Sequence, residues 1–145
     1  MIRFCVESIM DGRTLIAILV RNVRHADEAR FLTPPGSALQ FGVLKRGAGH
    51  IVPAHLHKRF KAERNSRGAR TAEVLVIQKG LVRAELYGNT RKPVCSRVLK
   101  RGDALILVAG GHGFRFLRET VLLEVKQGPY SGPSGKEFIR MDRHS

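Results

Sequence analysis

Cysteine is scarce. Only Cys5 and Cys95 stand in the 145-residue chain, far apart and in neither a Cys-x-x-Cys nor a disulfide-framework pattern, so both read as free thiols and a cysteine-based zinc ribbon is excluded. Long apolar runs are lacking too: TLIAILV at 14–20 and ALILVAGG at 104–111 fall well short of the roughly 20 residues that span a bilayer. The first residues carry Glu7 and Asp11 rather than a basic stretch, an apolar run and a small-residue cleavage site. A cytoplasmic protein without a membrane segment is therefore expected. Aromatics make up only 6% of the chain, and its most basic segment, 58–70, holds one, Phe60. That leaves no stacking platform for single-stranded nucleic acid, and a nucleic-acid partner is not expected. No Walker-type phosphate loop, dinucleotide fingerprint or GxSxG elbow occurs, which removes the usual support for nucleotide-triphosphatase and hydrolase readings. Acids are few: 12 Asp and Glu face 26 Lys and Arg, a formal charge of +14 that attracts anions without naming one.

What is present is punctuation. DG at 11, PPG at 34, RGAG at 46, NSRG at 65, QKG at 78, GN at 88, RGD at 101 and GG at 110 separate short runs such as LQFGVLK, AEVLVIQ, LVRAELY, CSRVLK, FRFLRE and VLLEVK. Short strands between frequent turns describe an all-β fold, a single antiparallel barrel or sandwich. Length and 43% hydrophobic content suit one domain over 1–145, with its core at 31–127 and a Gly/Pro/Ser-rich tail at 128–145 that wraps the surface or frays. In LVRAELY, Val82, Ala84 and Leu86 alternate with Arg83, Glu85 and Tyr87, one face buried and one wetter. TLIAILVRNV is read as a strand after a hairpin at Asp11-Gly12, and HADEARF at 25–31 as one helical turn. The N-terminal strands are apolar enough to seek a partner edge, so a homodimer is expected.

GHIVPAHLH, residues 49–57, places two histidines one residue apart. On a strand His55 and His57 share a face while Leu56 points away, which is half of a metal site; an exposed pair on a hairpin gives the same string. Glu73 opens the apolar run that ends at Gly80, and His112 follows a Gly-Gly turn at the head of another strand. An antiparallel barrel would bring these together, and three imidazoles with one carboxylate suit a single divalent transition metal, Fe, Mn, Ni, Co or Zn, with positions left for water or substrate. His25, His50 and His144 have no second ligand at suitable spacing and read as surface or loop histidines. Between the His pair and Glu73 lies the basic segment 58–70, in which Arg59, Arg64 and Arg67 are candidates for drawing in an anionic substrate; a solvated loop gives the same composition. No carboxylate or histidine outside the metal set is placed in the pocket, so no general base is assigned. The walls are expected from Leu75, Ile77, Phe114 and Phe116, with Tyr130 at the rim or packed at the start of the tail.

These residues resemble the cupins. Gly49, His55, His57, Glu73 and Gly80 match the first cupin motif, with its five-residue and six-residue spacings kept, and Gly102, Gly110 and His112 are similar to the second. The chain departs from the pattern in the fifteen residues between His57 and Glu73, in Val108 where the second motif has proline, and near Phe116 where it ends in Asn. Glu63 is the competing carboxylate; it lacks a following apolar strand and a Gly seven residues on, so Glu73 is preferred. FLTPPGSALQFG, TAEVLVIQKG and EVKQGPY also resemble small bacterial single-domain cupin-fold metalloproteins. The resemblance implies a double-stranded β-helix (jelly roll), a metal held by His55, His57, Glu73 and His112, and sugar or nucleotide-sugar chemistry. The expected function is that of a metal-dependent enzyme, an isomerase, epimerase or dioxygenase, on a small polar, anionic or sugar-like molecule. The alternative is a non-catalytic metal- or sugar-binding sensor.

Overall fold

The computed structural model describes residues 3–58, 72–129 and 133–140. Its strands are β1 (Cys5–Asp11), β2 (Thr14–Arg21), β3 (Arg30–Phe31), β4 (Leu39–Arg46), β5 (Ile51–His57), β6 (Glu73–Lys79), β7 (Leu81–Tyr87), β8 (Pro93–Lys100), β9 (Ala104–Leu107), β10 (Gly111–Phe116), β11 (Thr120–Gln127) and β12 (Lys136–Phe138). They form a hairpin, β1-β2, and two antiparallel five-stranded sheets ordered β12-β5-β10-β7-β8 and β3-β4-β11-β6-β9. The all-β antiparallel expectation holds. Among the described residues no helix is long and apolar enough to cross a membrane.

The turns occur where glycine permits them. Gly80, between β6 and β7, has φ +98°, and a β-carbon there would run into the Glu119 carbonyl and Thr120. Gly110, ahead of β10, has φ +71° and would collide with the Tyr87 carbonyl. Thr120 is fully buried beside the first turn and satisfies its hydroxyl there, accepting from Leu81 N at 3.1 Å and donating to Arg118 O at 2.9 Å.

Period-two alternation carries one face of each sheet inward. Leu75 and Ile77 of β6, Val82 and Ala84 of β7, Leu99 of β8, Leu107 of β9, Phe114 and Phe116 of β10 and Leu122 of β11 form a single core. A second cluster lies on the other face of β4 and β11, where Val43 and Val121 are covered by Phe4, Val20 and Val23. β11 is thus packed on both faces.

Three local expectations need correction. The short helical turn lies at Val23–His25, a 3-10 turn that shares only His25 with HADEARF, and the chain then extends into β3. Tyr87 does not follow the wet face of β7: the β7–β8 register shifts between Leu86 and Tyr87, and Tyr87 is buried. The tail is not only a surface wrap, because β12 pairs with β5 and sets Lys136 beside His57 and Phe138 beside His55. Both cysteines are free thiols.

Ile77 is 1% exposed and Ile106 62%. Ile77→Ala is therefore expected to cost about 2–5 kcal/mol by urea unfolding and Ile106→Ala less than about 1 kcal/mol.

Candidate metal centre

His55 and His57 lie on β5, with Leu56 between them on the opposite face. β10 runs antiparallel to β5 and sets His112 directly across from His55, so two adjacent strands of one sheet bring three imidazoles together. Ring centroids lie 5.1 Å apart for His55–His57, 4.6 Å for His55–His112 and 5.1 Å for His57–His112, and one ring nitrogen from each falls within 4.8 Å of the others. The three are positioned to hold a metal ion. Glu73 reaches them from β6 in the other sheet: its Oε2 accepts a hydrogen bond from His57 Nε2 at 2.8 Å and lies 3.4 Å from His112 Nε2. All four sequence candidates therefore meet, and His55, Glu73 and His112 are each at most 3% exposed.

Burial pushes the His55 imidazole down to about 4, against the bond to the Pro53 carbonyl that favours its charged form, so the ring is neutral near pH 7. His55 Nδ1 is 2.8 Å from Pro53 O. A carbonyl only accepts, so Nδ1 carries the proton and Nε2 keeps its lone pair, the state that a metal requires. For Glu73, burial disfavours the carboxylate, but hydrogen bonds with His112, His57 and Glu124 outweigh it and hold the group well below the usual carboxylate range. Imidazole donors grouped around an ionised carboxylate fit a divalent transition ion.

The structure adds polar residues that the sequence reading did not place here. Leu122, Glu124 and Lys126 alternate on the inward face of β11, and Glu124 and Lys126 line the cavity above the imidazoles together with Arg46 of β4 and Lys136 and Phe138 of β12. Burial, the hydrogen bond with Glu73 and the charge of Glu73 push the Glu124 carboxyl up to about 8. The sequence carries only an acid and a base within an otherwise apolar strand, with no alternation to say which way they point. Of the expected walls, Leu75, Phe114 and Phe116 line the cavity, while Ile77 sits deeper in the core. Arg59, Arg64, Arg67, Glu63, Tyr130 and His144 lie outside the described residues. His50 packs edge-on against Phe116 and His25 accepts from Arg24 Nε, both apart from the imidazole cluster.

No protein-family model and no curated protein matches the sequence. Solved structures do match in shape. A single-residue variant of oxalate decarboxylase from Bacillus subtilis aligns with TM-score 0.57 at 18% identity, over 76% of this chain and 27% of that one. KdgF from Halomonas sp. aligns with TM-score 0.53 at 17% identity, over 73% and 81% of the two chains. A Klebsiella pneumoniae protein with a double-stranded β-helix domain gives 0.53 and 15%, over 79% and 87%. This chain thus spans only about a quarter of the oxalate decarboxylase. At these identities the likeness establishes the fold: the chain is a double-stranded β-helix of the cupin type.

Glu124 and His55 give the metal-free protein opposed pH dependences. His55 contributes stability that is full above its unfolded value of 6.5 and is lost as pH falls toward 4. Glu124 contributes stability that is full below its unfolded 4.5 and is lost as pH rises through about 8. Above pH 6.5 only the Glu124 slope of this pair remains. The thermal stability of the metal-free protein is therefore expected to fall from pH 6.5 to 8, by at most about 1.4 kcal/mol per pH unit, and Glu124→Gln to flatten that decline.

Proposed function

We propose that this cupin binds one divalent transition metal through His55, His57, Glu73 and His112 and acts as a metal-dependent enzyme on a small polar substrate. The observation that carries this reading is the convergence of three imidazoles and a buried carboxylate, drawn from two facing sheets, at the floor of a cavity. A bound divalent ion would supply Lewis acidity toward a ligand oxygen. Oxalate decarboxylase, one of the proteins of similar shape, has Mn(II) centres.

The chain's own residues supply the rest. The Pro53 carbonyl orients His55, Glu73 contributes negative charge, and Leu75, Phe114 and Phe116 keep bulk water from the floor, where a polar interaction is stronger than in solvent. Glu124, beside Glu73 and facing the cavity, is the carboxyl placed to exchange a proton with a bound molecule. A homodimer through the N-terminal hairpin belongs to the same reading, since Ile9, Met10 and Ile16 are exposed on it; light scattering decides that point.

Elemental analysis of protein purified without chelator or a nickel column is expected to find close to one transition metal per chain, and His55→Ala and Glu73→Ala to lose most of it. Metal content unchanged in both variants would refute the ligand set. Assays on small acids and sugars, with metal removed and restored, should then give metal-dependent turnover. Metal-dependent binding without conversion would make the protein a sensor module instead.

A further inference from the structure

The cavity measures about 260 Å³, below the roughly 300–1,000 Å³ of sites that enclose drug-sized ligands. A molecule of a few carbon atoms fits within it. Three strands each turn a cation toward this space: Arg46 from β4, Lys126 from β11 and Lys136 from β12. Among the described residues the carboxyl groups lining it are Glu73 and Glu124. Even with both ionised and the imidazoles neutral, this lining holds one positive charge in excess, and a divalent ion raises the excess to three.

Surface cations of this chain also meet acids, but in contact with water. Lys79 and Lys45 share Glu119 at 3.0 and 3.5 Å, Arg115 meets Glu85 at 3.0 Å, and Arg91 meets Glu137 at 3.0 Å. In the cavity Lys126 Nζ pairs with Glu124 Oε2 at 3.8 Å, both side chains being largely withdrawn from solvent at 13% and 12% exposed. Arg46 directs Nη1 to the Lys45 carbonyl at 3.1 Å, one of the five N–H donors of its guanidinium. A positive excess in a partly dehydrated space is costly until an anion neutralises it, and a neutral sugar leaves that cost in place.

We propose that Arg46, Lys126 and Lys136 form an oxyanion subsite, and that the ligand is a small organic acid whose carboxylate docks there while another of its oxygens faces the imidazoles. The assignment rests on the metal-binding reading for the second oxygen but not for the carboxylate. Charge-assisted hydrogen bonds to carboxylate oxygens are about twice as strong as neutral ones, which is the source of the selectivity. Phosphate offers similar oxygens and is separated from a carboxylate by titration.

The test is calorimetric titration of the metal-loaded protein with malonate, inorganic phosphate and glucose, repeated as a thermal shift on the metal-free protein. Malonate is expected to bind at least tenfold more tightly than glucose or phosphate and to raise the unfolding temperature even without metal. Arg46→Gln and Lys136→Gln should each weaken malonate about tenfold at unchanged metal content. Lys136→Arg, which keeps the charge, should retain binding, and Arg97→Gln, an equal loss of charge on the exposed surface, should change nothing. Glucose binding as tightly as malonate would overturn the proposal, as would malonate affinity indifferent to both cavity variants or equally reduced by Arg97→Gln. Phosphate binding more tightly than malonate would overturn the organic-acid assignment. Absence of metal from the wild-type protein would sink the metal reading alone, because the thermal-shift arm still reports on the cations.

Discussion

The contact between Glu73 and His57 joins the two sheets through polar groups that each contributes to the interior. A carboxylate 3% exposed is tolerated only when donors surround it, and here they come from β5 and β10 across the barrel. The sheets must therefore stack in a single register for the site to exist. The apolar layer beneath, Leu75 against Phe114 and Phe116, fixes that register, so the polar floor is held by packing that has no chemistry of its own.

Much of this was legible from residue order. Period two put His55 and His57 on one face, glycines at 80 and 110 marked turns that no other residue makes cheaply, and an apolar strand opened by Glu73 had to find that carboxylate a partner. The fifteen-residue separation of His57 from Glu73 did not prevent the pairing, since it lengthens the connection between β5 and β6 and leaves both strands in place.

The other half of the cavity was hidden for a physical reason. β11 is buried on both faces, with Val121 and Leu123 under the N-terminal segment and Leu122 in the barrel, so VLLEVKQ shows no amphipathic alternation to say that Glu124 and Lys126 point inward. Lys136 and Phe138 sit in a three-residue strand whose composition carries no strand signal, and only its pairing with β5 makes it one. HADEARF has acids and alanine suited to a helical turn, but the chain there extends to pair with β4.

The pairing of β12 with β5 also bears on how the molecule assembles. His57 and Lys136 are about 80 residues apart in the chain, so this wall of the cavity closes through one of the longer-range contacts, and loop-closure entropy opposes it until the barrel has formed. The imidazole cluster, built across neighbouring strands, can precede it. The edge strand is only three residues long and is flanked by the bonds from Lys58 N to Gly135 O and from Ile139 N to Ala54 O, each 2.8 Å. Amide protons of β12 should therefore exchange with solvent ahead of those in β10 and β11, making the cation-bearing edge of the cavity the first part to open in an otherwise folded barrel.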